Sequence, residues 1–248
     1  MVFFTLKKLL PASKKTESKI DQVPGGPSPF ALVAPLKTTR IKHVRRDDSE
    51  YHFYGVLSTK VIALEAAQFI CQNSDASESS LKKIIEQFLA ITSQDTQRTC
   101  QVNPEAVWFL VRMTKKSDEF VIPRWHRDGR MVDCTEDSHV LHCRYGTTLV
   151  GPPTRVLQET EVVTQTMKEF PTRRKASDAL ASEAPLDIPR GQIIRFSWGK
   201  EDSPVHSEPD LLEERVFASC IYGSTDEIRD IVETRQHVLG YSQAVFRE

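Results

Sequence analysis

The spacing of hydrophobic residues over the first hundred positions predicts two helices and two strands, of which the first is an edge strand over residues 30–36. Residues 51–57 are typical of a strand, and Ser58 can cap a helix whose apolar stripe begins at Ile62. A second helix is indicated by apolar residues at positions i, i+3, i+4, i+7 and i+8. These residues are Leu81, Ile84, Ile85, Phe88 and Leu89. We expect the two helices, within residues 58–92, to support the outer face of a sheet.

The following residues contain short apolar runs separated by turns, which is the pattern of a β core. The strands are predicted at residues 106–113, 142–150, 154–157, 193–198 and 215–222. Residues 159–187 are polar and interrupt this pattern, so they predict an insertion or a lid. Ser224 and Glu227 have the spacing of a capping box for a closing helix over residues 224–236.

Domain organisation follows from where these patterns begin and end. Residues 1–30 are rich in Lys, Pro and Gly and predict a disordered tail. Residues 31–248 predict a single domain with its β core over residues 104–223. At 248 residues, the chain is long enough for one sizeable hydrophobic core.

Composition and charge exclude several classes of protein. With 39% hydrophobic and 27% charged residues, the chain resembles an ordinary soluble protein. Its net charge of −1 offers no basic field for nucleic acid, and no apolar run reaches the length of a membrane span. The sequence does not determine the oligomeric state.

The cysteines favour a reducing compartment. There are five, an odd number, without CxxC spacing, so we expect an intracellular and first of all a cytoplasmic protein. A mitochondrial presequence is the alternative, since the first fifteen residues carry four lysines and no acid, although they lack arginine.

Residues 125–129, Trp-His-Arg-Asp-Gly, contain a possible pair of metal ligands. Alternate side chains of a strand share a face, so His126 and Asp128 would point the same way. His206 follows eighty residues later, and together the three residues supply two imidazoles and one carboxylate. An isolated H-x-D is common by chance, but this set matches the 2-His-1-carboxylate triad, which leaves three positions of an octahedral Fe(II) open.

Arg215 stands at the start of an otherwise apolar strand, nine residues after His206. A guanidinium buried at such a position needs an anionic partner. The sequence therefore predicts an anion-binding group close to the candidate metal ligands.

The order of these features resembles that of the 2-oxoglutarate/Fe(II)-dependent dioxygenases over about residues 123–223. The resemblance implies that His126, Asp128 and His206 bind Fe(II), and that Arg215 binds the distal carboxylate of 2-oxoglutarate. Many members of this family have a serine two residues after that arginine. Here residue 217 is Phe, and Ser219, on the same face of the strand, is the nearest candidate for that role.

The resemblance implies a mainly β fold with flanking helices, namely a double-stranded β-helix (a jelly roll, cupin-like). It also implies an enzyme that uses Fe(II), 2-oxoglutarate and dioxygen to hydroxylate, desaturate or cyclise a substrate at a C–H bond. We expect a small molecule such as an amino acid or metabolite, with Arg112, Arg195 and Trp198 as candidate substrate contacts. The alternatives are a protein hydroxylase of the same superfamily and a cupin-like binding protein without turnover.

Overall fold

The computed structural model describes most of the chain after residue 28. The described residues are 29–37, 41, 43–46, 49–100, 103–119, 121–128, 142–170, 173–197, 203–237 and 240–248. Most of the predicted N-terminal tail, and the candidate substrate contact Trp198, lie outside the described residues.

The described residues form strands and helices in nearly the predicted order. The strands are β1 (Phe30–Pro35), β2 (Ser49–Val56), β3 (Ala106–Thr114), β4 (Cys143–Val150), β5 (Arg155–Val156), β6 (Gln192–Ser197), β7 (His206–Ser207), β8 (Arg215–Gly223) and β9 (Phe246–Arg247). The helices are α1 (Thr59–Gln72), α2 (Glu78–Cys100), α3 (Glu161–Glu169), α4 (Arg173–Ala179) and α5 (Thr225–His237). None of the helices in the described part of the chain is both long and apolar enough to cross a membrane.

Two sheets form the core of the fold. Seven strands form a large sheet in the order β1-β6-β4-β8-β3-β2-β9, antiparallel except for the β2–β9 pair. A small antiparallel sheet of β5 and β7 is extended by single bridges from His126 to His206 and from Leu157 to Pro185. Between β3 and β8 the chain passes back and forth between the two sheets. This winding confirms the predicted double-stranded β-helix with flanking helices.

Helices α1 and α2 cover one face of the large sheet. Alternate residues of β3 and β8, including Phe109 and Tyr222, point into this helical layer and are buried there. Helix α2 continues to Cys100, beyond the predicted end of the helical flank at residue 92. Helix α5 packs on the opposite face of the sheet, against Trp108 and Ile221. Its predicted capping box is present, because the Glu227 amide donates to Ser224 Oγ at 3.2 Å and the Ser224 amide donates to Glu227 Oε2 at 2.7 Å.

Arg195 faces the helical layer, so its prediction as a substrate contact is wrong. Its guanidinium donates to Asp95 Oδ2 at 2.7 Å and to Thr99 Oγ1 at 3.0 Å, both on α2. On β6 the neighbouring Ile194 and Phe196 point the other way, toward the small sheet. Strand alternation therefore places Arg195 on the far side of the sheet from the metal ligands, in a structural ion pair.

The predicted insertion at residues 159–187 contains α3 and α4. Val163 of α3 and Leu180, just after α4, are buried against Trp125 and Val205. These last two residues immediately precede His126 and His206. The two helices therefore pack on the side of these segments that faces away from the histidine side chains. Closure of this segment over the site as a lid stays a prediction.

The Asp95–Arg195 pair gives a stability test with a matched control on the same carboxylate. We expect Arg195→Met to lower the free energy of unfolding by about 3–5 kcal/mol, because it leaves the buried Asp95 charge without its buried partner. Arg98 contacts the other oxygen of Asp95 at 2.9 Å, but its side chain is 77% exposed. Arg98→Met should therefore cost no more than about 1 kcal/mol. Equal losses for the two variants in urea-induced unfolding would contradict this account.

Candidate metal centre

His126 and His206 are placed side by side by a short antiparallel bridge. The His126 amide donates to the His206 carbonyl at 3.0 Å, and the His206 amide donates to the His126 carbonyl at 2.9 Å. Trp125 and Val205, the preceding residues, point away from the site into the layer of α3 and α4. Because neighbouring side chains point in opposite directions, the apolar residues anchor both segments on the helices and both imidazoles face the large sheet. The centroids of the two imidazole rings lie 4.3 Å apart.

Both imidazoles are oriented by a backbone carbonyl two residues earlier in the chain. His126 Nδ1 lies 2.7 Å from the Arg124 carbonyl oxygen, and His206 Nδ1 lies 3.0 Å from the Pro204 carbonyl oxygen. A carbonyl oxygen only accepts, so each Nδ1 must carry the proton in these contacts. The unprotonated Nε2 of each ring is then available to a metal, which is the usual arrangement of histidine ligands.

Asp128 completes the predicted triad. Its Oδ1 lies 3.8 Å from His126 Nε2 and 3.5 Å from His206 Nε2, and one ligand atom from each residue falls within a common 4.8 Å. Ligands about 2.1 Å from a metal and at right angles to each other lie about 3 Å apart. The three side chains could therefore bind a metal after moving slightly closer together. Two neutral nitrogens with one carboxylate oxygen suit Fe(II).

The charge states favour metal binding at neutral pH. Burial alone would raise the pKa of Asp128, but the charge of Arg144 and the contact with His206 hold it well below its usual range. Burial lowers the pKa of His126, and His206 lowers it further. Asp128 is therefore an anion and His126 a neutral ligand, as metal coordination requires.

Arg144, on β4, contacts the triad and was not among the predicted site residues. Its guanidinium donates through Nη1 to Asp128 Oδ2 at 3.1 Å and through Nε to Ser219 Oγ at 2.9 Å. Ser219 shares the face of Arg215, but its hydroxyl accepts a hydrogen bond from Arg144, and Ser219 is not among the residues that line the cavity with Arg215. A signal was available in the sequence, because Arg144 is the one charged residue of residues 143–150.

The two histidines of the triad open onto a cavity of about 110 Å³ between the two sheets. The sequence did not show which face of β4 lines the pocket. In the structure Arg144 and Gly146 face the cavity, and Tyr145 faces the helices. The residues that line the cavity are Leu110, Arg112, His126, Arg144, Thr154, Phe196, His206, Glu208, Arg215 and Phe217.

Arg215 lines the same cavity and is 5% exposed. It donates to the Pro152 carbonyl at 3.1 Å and to Thr154 Oγ1 at 2.9 Å, and its guanidinium carbon lies 4.5 Å from the centre of the Phe217 ring. Burial lowers the pKa of Arg215 to about 9, so the group remains a cation at neutral pH. No carboxylate among the described residues forms a salt bridge with it.

The turn after β4 brings the two partners of Arg215 into place. Gly151 has a φ of 86°, and a Cβ at this position would lie 2.3 Å from the Glu214 carbonyl oxygen. A glycine is therefore required for the turn to pass this close to the start of β8. The close approach sets the Pro152 carbonyl and the Thr154 hydroxyl beside the guanidinium.

Two further ion pairs form part of the cavity wall. Arg112, a predicted substrate contact, lines the cavity, and its guanidinium is held by Glu50. Glu208 also lines the cavity and is paired with Arg124. Glu208 and Thr154 were not among the predicted site residues, and nothing in their local sequence marks either of them.

Comparisons with known proteins give distant structural likenesses. No protein-family model and no curated protein matches the chain. The dioxygenase for auxin oxidation in rice is 9% identical, with a TM-score of 0.41 over 80% of this chain and 70% of that one. Dioxygenase for auxin oxidation 1 from Arabidopsis thaliana, solved with 2-oxoglutarate, is 9% identical, with a TM-score of 0.41 over 83% and 70%. A Pseudomonas putida prolyl-4-hydroxylase is 11% identical, with a TM-score of 0.35 over 74% and 76%. None of these likenesses is close enough to assign a function.

Removal of any one triad side chain should abolish tight metal binding. We expect His126→Ala, Asp128→Ala and His206→Ala each to weaken Mn²⁺ binding by more than about a hundredfold, because each removes a direct ligand and not a supporting group. Anaerobic titration calorimetry measures this affinity. His52→Ala is the control, because His52 lies outside the cavity and should bind Mn²⁺ as the parent does. A triad variant with the parent's affinity would remove that residue from the ligand set.

Proposed function

We propose that this chain is a Fe(II)- and 2-oxoglutarate-dependent oxygenase that oxidises a C–H bond of a small molecule. One observation carries the proposal. The two histidines of a 2-His-1-carboxylate set line the same small cavity as Arg215, a buried arginine that forms no salt bridge with a carboxylate of the described residues. A metal and a diacid are the ligands that would satisfy both groups at once.

The triad would hold the iron through His126 Nε2, His206 Nε2 and Asp128 Oδ1. Three positions of an octahedral metal would stay open for a bidentate oxoacid and dioxygen. When bound there, iron would couple the activation of dioxygen to the decarboxylation of 2-oxoglutarate to succinate and CO₂. The protein supplies the fixed imidazole tautomers and the negative charge of Asp128.

Arg215 would hold the distal carboxylate of 2-oxoglutarate. A guanidinium pairs with a carboxylate through two parallel hydrogen bonds, and Phe217 lies against the guanidinium and holds its plane in place. The Thr154 hydroxyl accepts from Arg215 and is left with its own hydrogen for the same carboxylate. Thr154 would therefore supply the hydroxyl that many family members have two residues after the arginine.

The size of the cavity suits the cosubstrate, and the charge of the chain favours a small substrate over a polyanion. A volume of about 110 Å³ suits a short diacid, so the substrate would approach from outside the bound cosubstrate. The net charge of −1 supplies no field for a polyanion, and Arg112 offers a polar contact on the cavity wall. We propose an amino acid or another metabolite, with hydroxylation, desaturation or cyclisation as the outcome.

Formation of succinate from 2-oxoglutarate is the direct test of this function. The parent protein, loaded with Fe(II), should form succinate when dioxygen is supplied, and the His126→Ala variant should not. Stimulation by a pool of small metabolites would support the proposed substrate class, whereas stimulation by proteins that gain one oxygen would identify a protein hydroxylase. A parent that binds neither Fe(II) nor 2-oxoglutarate would be a binding protein without turnover.

Arg215 should set the affinity for 2-oxoglutarate and leave the affinity for the metal unchanged. We expect Arg215→Ala to raise the dissociation constant of 2-oxoglutarate by about a hundredfold, which is roughly 2.7 kcal/mol. The loss arises because the bound carboxylate would stay in a buried pocket without its cation. Titration of 2-oxoglutarate into the anaerobic Fe(II) protein, followed by the charge-transfer absorbance, measures the effect.

Two further variants sharpen this test. Arg215→Lys should recover only part of the affinity, because an ammonium group cannot make the two-pronged contact. Arg195→Met removes a buried guanidinium from the other face of the same sheet, so it should lower stability without changing 2-oxoglutarate binding. If Arg215→Ala binds 2-oxoglutarate as tightly as the parent does, Arg112 is the next candidate, since it lines the same cavity.

A further inference from the structure

The Asp128 carboxylate is shared between the histidines and an arginine from the other sheet. Oδ1 faces both imidazoles, at 3.8 and 3.5 Å, while Oδ2 accepts from Arg144 at 3.1 Å. We propose that Arg144, held in turn by Ser219, is a positioning residue that limits Asp128 to a single oxygen ligand. This inference rests on the metal centre of the proposed function.

The need for such a residue follows from how the site is divided between the sheets. His126 and His206 fix each other through two backbone hydrogen bonds within the small sheet. Asp128 lies two residues beyond that bridge, outside any strand. Among the described residues, Arg144 is the one lysine or arginine in salt-bridge contact with the Asp128 carboxylate. Arg144 therefore ties the third ligand to the large sheet.

Arg144 is itself held in one orientation. It lies opposite Ile221 in the β4–β8 pairing, so Ser219 is its diagonal neighbour on the same face. The guanidinium is planar, and hydrogen bonds at Nε and Nη1 fix that plane. Both side chains of the ion pair are largely shielded from water, with 18% of Arg144 and 10% of Asp128 exposed.

The number of Asp128 oxygens on the metal decides how many positions stay open. With Oδ2 engaged by Arg144, Asp128 offers Oδ1 alone, and three positions remain for 2-oxoglutarate and dioxygen. A carboxylate released from Arg144 can offer both oxygens and occupy one of these positions. Loss of Arg144 should therefore impair 2-oxoglutarate binding even though Arg144 is not a metal ligand.

The test separates coordination of the metal from binding of 2-oxoglutarate. The parent and the Arg144→Met variant are loaded anaerobically with Co²⁺, and the visible spectrum, which reports the coordination of the metal, is recorded before 2-oxoglutarate is added. We expect a changed spectrum for Arg144→Met, and an increase of about 10–100-fold in the 2-oxoglutarate dissociation constant. Arg144→Lys should be intermediate, because it can contact Asp128 but cannot keep both hydrogen bonds.

Ser219→Ala is the milder variant and decides the matter if Arg144→Met does not fold. It should shift the Co²⁺ spectrum in the same direction and weaken 2-oxoglutarate binding by about fivefold, the effect of one lost hydrogen bond. Its matched control is Ser197→Ala, which removes a buried hydroxyl on β6 that has no hydrogen-bond partner among the described residues. The control for Arg144→Met is Arg195→Met, and both controls should keep the parent's spectrum.

Each other outcome has a definite meaning. An unchanged Co²⁺ spectrum for Arg144→Met overturns the positioning role, and if 2-oxoglutarate binding still falls, Arg144 contacts the cosubstrate directly. A parent-like spectrum and 2-oxoglutarate affinity for Ser219→Ala overturn the role of Ser219 as the anchor. A parent protein that fails to bind Co²⁺ overturns the metal centre itself, which is a failure of the proposed function and is seen before any variant is compared.

Discussion

The alternation of side chains along the central strands of the large sheet is the constraint on which the rest of the structure depends. On β3 and β8, one set of residues, including Phe109 and Tyr222, fills the layer beneath α1 and α2. The other set, including Arg215, faces the cavity. A shift of one residue in register would exchange the two sets, so the hydrophobic layer beneath the helices also determines which polar groups meet at the metal centre.

The arginines of β3, β4, β6 and β8 differ in the group that neutralises their charge, and strand alternation decides which face each one occupies. Arg195 faces the helices and is neutralised by Asp95, and Arg112 and Arg144 face the cavity and are neutralised by Glu50 and Asp128. Arg215 is in direct contact with a carbonyl, a hydroxyl and an aromatic ring, all of them uncharged, and the charges of Glu208 and Arg112 act on it only from beyond salt-bridge distance, with opposite sign. A buried cation without a directly paired counterion is costly, so this is the arginine whose environment a bound anion would improve.

The sequence predicted the parts of the site that depend on local spacing. The H-x-D pair and the distal histidine were recognised from their types and spacing, and the face of Arg215 follows from alternation along β8. Arg195 was misplaced because its face depends on the register of β6 against its neighbours, which the local pattern does not contain. Thr154 and the anchoring of Arg144 by Ser219 arise from contacts between separate strands, which the spacing of one strand cannot show. Arg144 itself could have been flagged, since a lone charge in a buried strand needs a partner, which is the reasoning applied to Arg215.

The metal centre depends on both sheets, so its integrity depends on how they pack together. The histidines belong to the small sheet, whereas Arg144 and Arg215 belong to the large one. Apolar residues from both sides join the sheets beside the site, and Phe196 of the large sheet lies 4.8 Å from the His206 ring. A metal held by His126, Asp128 and His206 would bind the folded chain in preference to the unfolded one and would therefore stabilise this packing. The same packing keeps water from the buried guanidinium of Arg215. The metal ligands and Arg215 therefore depend on one interface between the sheets.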